Sequence, residues 1–86
     1  MQIEFDPKKD EENLRKHRIS LARTADLEIL RTVEDERPYG ERRFWLFGLI
    51  EDRTYCATVT FRNGVTRAIS LRPASRMERK RYDLQT

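Results

Sequence analysis

Asn63-Gly64 constrains this chain more tightly than any other pair of residues in it. A two-residue type I′ turn needs φ > 0 at both central positions, and Asn-Gly supplies it. The runs on either side alternate as strands do. In the first, Tyr55, Ala57, Val59 and Phe61 fall on one face, and Cys56, Thr58, Thr60 and Arg62 on the other. In the second, Val65, Arg67, Ile69 and Leu71 share a face, opposite Thr66, Ala68, Ser70 and Arg72. An antiparallel hairpin therefore lies at the centre of the fold, and the rest must pack on it.

The flanking sequence supplies what packs. Arg42–Ile50 is a third strand-like run, separated from the hairpin by the polar turn Glu51-Asp52-Arg53. Pro38-Tyr39-Gly40 marks a turn before it. Ile3–Phe5 suits a short edge strand. Asp6-Pro7 opens a helix, with Asp6 as N-cap and Pro7 at the first helical position. Asp10, Glu11 and Glu12 then precede Arg15, Lys16, His17 and Arg18, an order that complements the helix dipole. Leu14 is the clearest candidate for burial on this helix. Ser20 caps a second helix expected to reach about Leu30, its Leu21, Ala22, Ala25, Leu27, Ile29 and Leu30 facing a sheet. Arg31–Glu36 offers one further strand. Pro73 ends the hairpin's return strand, and Ser75-Arg76-Met77-Glu78 is a capping box opening a last helix expected to run to about Leu84. The expected fold is α+β, a single domain over residues 1–86. It comprises a small antiparallel sheet of three to four strands, two N-terminal helices and a C-terminal helix.

Charge is distributed unevenly. Residues 1–61 carry 11 basic and 13 acidic side chains, whereas residues 62–86 carry 7 basic and 2 acidic ones. The basic residues of that last segment are Arg62, Arg67, Arg72, Arg76, Arg79, Lys80 and Arg81. Six are arginines, whose planar fork matches phosphate oxygens. The segment reads as a polyanion-binding surface, as a solvated helix face, or as the docking site of an acidic protein. With 38% charged residues in 86, the core is thin and leaves little room for a deep substrate cavity. One histidine and one cysteine can build neither a Cys/His zinc site nor a multi-histidine metal site, and no cofactor is expected. Lone Cys56 cannot form an intramolecular disulfide and reads as packing. No apolar run approaches a membrane span, and the first residues lack the basic start and apolar stretch of a signal peptide, so the cytoplasm is expected.

Three stretches resemble the BrnT family of ribonuclease toxins from type II toxin–antitoxin pairs. Residues 67–82, RAISLRPASRMERKRY, are similar to its C-terminal signature, Arg-x-Ile-Ser-x-Arg followed by Ala-Ser/Thr, Glu-Arg and Tyr. Phe5-Asp6 with Asn13-Leu14-Arg15-Lys16-His17 resembles its N-terminal element, and Glu41-Arg42-Arg43-Phe44 with Gly48 a strand between them. The resemblance spans nearly the whole chain and is weakest over residues 31–40. It implies a RelE-like fold and metal-free RNA cleavage. It also implies a ribbon-helix-helix, BrnA-like antitoxin dimer as partner, with operator DNA bound through the complex. The chain departs from the family pattern twice. Arg18 stands where a helix-ending glycine is usual, and a non-glycine residue in the left-handed region costs about 1 kcal/mol. Phe5 stands where Trp is usual.

Metal-free cleavage needs a site that aligns a 2′-OH with its phosphate, stabilises phosphoryl charge and moves two protons. Arg67 and Arg72 from a strand, with Arg76 or Arg79 from the helix after it, suit the charge. That helix's N-terminus adds N–H groups, and these groups are expected to converge on one phosphate near Pro73-Ala74. Proton transfer has three candidates, each with a structural alternative. Glu78 serves as catalyst or as capping-box carboxylate, its pKa lowered by arginine neighbours. His17 serves as catalyst or as C-terminal helix cap. Tyr82 meets a base or phosphate, or simply packs. Lys16, Arg62, Arg76, Arg79, Lys80 and Arg81 are the RNA-binding candidates. Trp45 and Phe47 read as core in an apolar strand, with base stacking the alternative. The competing reading of the whole chain is a non-catalytic basic module that binds an antitoxin or nucleic acid.

Overall fold

The computed structural model describes residues 1–84, so the last two positions of the domain expected over 1–86 lie outside the described residues. In chain order the elements are β1 (Ile3–Glu4), α1 (Pro7–His17), a 3₁₀ turn (Leu21–Asp26), β2 (Glu28–Asp35), β3 (Arg43–Ile50), β4 (Arg53–Arg62), β5 (Val65–Pro73) and α2 (Arg76–Arg81). Asn63 and Gly64 take φ of 51° and 78°, as the tight turn requires, and close β4 on β5 with Arg62 opposite Val65. A second two-residue turn, with Glu51 at φ 56°, closes β3 on β4.

The five strands form one sheet in the order β1-β5-β4-β3-β2. This corrects the expected three to four antiparallel strands. The sheet is mixed, because β1 runs parallel to β5 through Ile3–Thr66 and Glu4–Arg67. The second N-terminal helix is also corrected. Ser20 caps as expected, its Oγ accepting from the Ala22 N–H, but only a 3₁₀ turn follows. Glu28–Asp35 is strand β2 on the sheet edge, where Ile29 and Leu30 are exposed rather than packed in a helix face. Ile29, Thr32 and Val33 are β-branched and favour a pleated surface, and Gly48 of β3 admits the β2 backbone. A Cβ at Gly48 would overlap the Glu28 carbonyl oxygen.

Helix α1 begins as its sequence dictates, with Asp6 Oδ1 accepting from the Lys8 N–H at 3.0 Å. It ends at Arg18, which adopts the left-handed conformation (φ 58°, ψ 30°) and donates its N–H to the Leu14 carbonyl at 2.9 Å. The buried residue of α1 is Asn13; Leu14, expected inside, is exposed. The cause is backbone satisfaction. Strand β1 pairs with only two residues of β5. Beyond it, the Asn13 amide takes over, Oδ1 accepting from Leu71 N–H at 3.0 Å and Nδ2 donating to Leu71 C=O at 2.7 Å. Nδ2 also donates to Ile19 C=O. Asp10 ties the next segment down by accepting from Ser20 Oγ and Leu21 N–H.

The sheet has an apolar cluster on each face. Leu21, Leu27, Leu46, Ile50, Ala57, Val59, Ala68 and Leu71 form the larger one. Phe47, Cys56 and Ala74 form the smaller, with Val33, Trp45, Tyr82 and Leu84 packed around it. Strict alternation would place Ala68 with Arg72, away from Leu71. A bulge between Thr58 and Val59 leaves Ile69 without a partner, turns Ala68 to the Leu71 side and moves Arg67, expected on the Leu71 face, to the Arg72 side. The final helix is shorter than expected, ending at Arg81 rather than Leu84. Among the described residues no helix is long and apolar enough to cross a membrane.

Candidate nucleic-acid interface

Residues paired across neighbouring strands share a face, so the sheet register places three rows on the face that carries Phe47 and Cys56. The first row is Phe47, Cys56 and Arg72. The second is Trp45, Thr58 and Ser70. In the third, Thr60, Arg67 and Glu4 are paired in turn, with Arg43 beside Thr60 and opposite Asp35.

The residue that follows α2, Tyr82, reaches the first row. Tyr82 sits on Phe47, ring centroids 4.9 Å apart, with the guanidinium carbons of Arg31 and Arg81 at 5.5 and 5.6 Å from its ring. Arg72 crosses from β5 to α2 and grips Glu78 with two parallel bonds, Nη1 to Oε1 at 2.7 Å and Nη2 to Oε2 at 2.9 Å. Glu78 also closes the expected capping box. Its Oε1 accepts from Ser75 N–H at 2.8 Å, and Ser75 Oγ accepts from Glu78 N–H. The Arg72 hydrogen bonds, aided by Ser75 and opposed by burial, hold the Glu78 carboxyl down to about 2. Beneath them Cys56 is fully buried, and burial pushes its thiol up to about 12, consistent with packing.

The third row is a basic cavity of about 150 Å³ whose charged lining is Lys9, Arg43, Arg62, Arg67, Asp6 and Glu41. Glu41 reaches Arg43 and Arg62 at 3.5 Å each, and Arg67 Nη1 donates to Glu4 at 2.6 Å. Burial raises the Glu41 pKa, but the Arg62 charge with the Thr60 and Arg43 bonds outweighs it and the net direction is down. The Arg43 guanidinium stacks 3.9 Å from the Tyr39 ring centroid. Arg37 lies between Tyr39 and Trp45, at 5.3 and 5.7 Å from their rings. Its grip on the buried Asp35 carboxylate, against a smaller opposing effect of burial, holds that group near 2.

The sequence candidates are therefore divided. Arg72, Glu78 and Tyr82 come together. Arg67 does not join them: its β4 partner Thr60 is four residues from the Arg72 partner Cys56, about 13 Å along the strand. Arg62 and Arg67 belong to the third row. Arg79 lines a small cavity with Asp52 and Arg53 at the β3–β4 turn. Arg76 and Lys80 are exposed on α2, and Arg81 lies beside Tyr82. On α1, Lys16 is exposed and His17 half-buried. The partners that hold Glu78 are Arg72 and Ser75, not His17. Sequence reasoning passed over Lys9, Arg37, Tyr39 and Arg43 as site residues. Arg43 had a signal, since alternation from Trp45 and Phe47 already puts it on their face.

A model of the family described as "Ribonuclease toxin, BrnT, of type II toxin-antitoxin system" matches residues 5–78. No curated protein sequence matches the chain. Among solved structures, the 1.1 Å crystal structure of the Brucella abortus ribonuclease toxin BrnT is similar, with a TM-score of 0.64. The likeness covers 88% of this chain and 99% of that one; at 22% identity it speaks for the fold alone. The family match starts at the residue before the α1 cap and ends at the carboxylate that Arg72 grips. The chain thus belongs to the BrnT family, the ribonuclease toxins of type II toxin–antitoxin systems.

Proposed function

We propose that this toxin cleaves RNA without a metal ion, by attack of a ribose 2′-OH on the adjacent phosphate, with Arg72 holding that phosphate. The observation that carries the reading is the Arg72–Glu78 pair at the junction of β5 and the basic helix α2. Glu78 engages two Arg72 donors and leaves others of the guanidinium for phosphoryl oxygens. A fixed arginine of this kind stabilises charge that develops on phosphorus oxygens without reorganising first.

With a pKa near 2, Glu78 is a poor proton acceptor at neutral pH and acts as a positioning residue for Arg72. Proton movement falls to Tyr82, seated on Phe47 in the same row, and to His17, the chain's one imidazole. Arg76, Arg79, Lys80, Arg81 and Lys16 add attraction for the polyanion. One histidine and one buried cysteine build neither a Cys/His zinc site nor a multi-histidine metal site, and the metal-free reading itself rests on the sequence resemblance.

Membership of a toxin–antitoxin family implies an antitoxin partner. We take it to be a ribbon-helix-helix dimer that also carries the complex to operator DNA, on the strength of the sequence resemblance. The site of action is the cytoplasm, where the RNA is. The test is incubation of purified protein with RNA in EDTA. Cleavage leaving 2′,3′-cyclic phosphate ends is expected, reduced by about 10²–10³-fold in Arg72→Ala. Intact RNA from the folded wild type would leave the chain a binding module.

A further inference from the structure

The third row holds an unmet demand. Arg43 Nε is buried and has no hydrogen-bond partner among the described residues. Buried donors are almost always paired, and an orphan often marks a missing water or ion. The cavity beside it, about 150 Å³, has room for several waters or one phosphate group. Four cations line it, Lys9, Arg43, Arg62 and Arg67, against the lining carboxylates Asp6 and Glu41, while Glu4 beside the cavity pairs with Arg67 at 2.6 Å. Neither lining carboxylate fills the demand of Arg43. Asp6 is occupied as the α1 cap. Glu41 spans Arg43 and Arg62 at 3.5 Å each, the limit of hydrogen bonding, whereas the Arg72–Glu78 bonds are 2.7 and 2.9 Å. An anion with several oxygens would satisfy these guanidiniums better than Glu41 does.

Position identifies the anion. The cavity and Arg72 share one face of the sheet, about 13 Å apart along the strands. Between them runs the row Trp45, Thr58 and Ser70, one half-buried aromatic and two half-buried hydroxyls. The separation exceeds the reach between adjacent phosphates, so the two cationic sites match phosphates about two nucleotides apart, with an aromatic and hydroxyls between them for base and sugar. We infer that the Arg43–Arg62–Arg67 cavity is a second phosphate subsite, which binds a phosphate of the RNA about two nucleotides from the one held at Arg72. This rests on the reading of Arg72 as the scissile-phosphate residue. It gives Arg67 a role in holding substrate rather than in the reaction centre.

The test uses the intact toxin and 2′-O-methyl RNA, which cannot be cleaved, from a dinucleotide to about eight nucleotides. Binding is followed by fluorescence anisotropy at several salt concentrations. Wild type is expected to bind the longer oligomers on the order of tenfold more tightly than the dinucleotide. Arg43→Gln is expected to lose that gain and to lower the salt slope by about 0.7 per phosphate contact removed. Arg43 is half-buried, so the paired change Lys9→Gln/Arg62→Gln, at exposed positions, is measured beside it with the same expectation. Affinity independent of length, or variants that bind long RNA like wild type, would overturn the subsite. So would variants that keep RNA affinity but lose the antitoxin, which would assign the cavity to the protein partner. So would an Arg43 Nε–H resonance that shifts with inorganic phosphate and is unmoved by long RNA. Because binding here needs no chemistry, failure of cleavage in EDTA would sink the reaction while length-dependent binding would still uphold the subsite.

Discussion

Arg72 and Glu78 stand six residues apart in the chain and meet as a two-bond ion pair that joins the end of β5 to α2. Glu78 closes the α2 cap with the same carboxylate. The pair is structural as well as functional, and the two contributions separate by experiment. Arg72→Ala is expected to reduce cleavage by about 10²–10³-fold. It should also cost about 1–2 kcal/mol of stability, because Glu78 keeps only Ser75 as partner. A double-mutant cycle of Arg72→Ala and Glu78→Ala, read by urea unfolding, should show a coupling of about 1–2 kcal/mol. A coupling near zero would deny the pair any structural part.

Glu78 also sets an acid limit. Its folded pKa, near 2, lies below the ordinary 4.5. A lowered carboxylate pKa stabilises the fold above the unfolded value, and that contribution is lost as pH falls through the folded one. Stability should therefore decline between about pH 5 and pH 2, with Glu78 contributing about 1–2 kcal/mol after solvent screening. Asp35, also held near 2 by Arg37, titrates in the same window and in the same direction. Urea midpoints against pH for wild type and Glu78→Gln check this. The variant should be less stable at pH 7 and its profile flatter in acid.

Arg18 occupies the left-handed conformation that a glycine would take without strain. Arg18→Gly should raise stability by up to about 1 kcal/mol, visible as a higher melting temperature. An unchanged or lower value would mean that the turn carries no such strain.

Asn13 replaces a strand partner along the free edge of β5. Asn13→Ala leaves the Leu71 N–H and C=O and the Ile19 C=O short of a partner, at a cost of about 2–4 kcal/mol. Amide exchange at Leu71 should accelerate more than at residues of β4. Uniform acceleration would point to global loss rather than a local edge defect.

Gly48 lets β2 lie close against β3. Gly48→Ala should push Glu28 and Ile29 away and cost about 1–3 kcal/mol. The readout is loss of cross-strand contacts between β2 and β3 by NMR, with the β4–β5 contacts retained.

Local chemistry made the hairpin, the Asp6 cap and the Ser75–Glu78 box legible in the sequence, because each depends on a few adjacent residues. The basic bias of the last third and the family motifs were equally open to reading. Tertiary structure alone decided where Leu21–Leu30 went. Its apolar residues suit a helix face and a strand equally, and the close approach at Gly48 selected the strand. Structure also decided that Asn13 rather than Leu14 turns inward, since the unpaired edge of β5 needed an amide more than the core needed another side chain. Finally, it separated Arg67 from Arg72. Both lie in one basic run of sequence, yet an extended strand sets them too far apart to share a phosphate, so the arginines fall into two groups on one face.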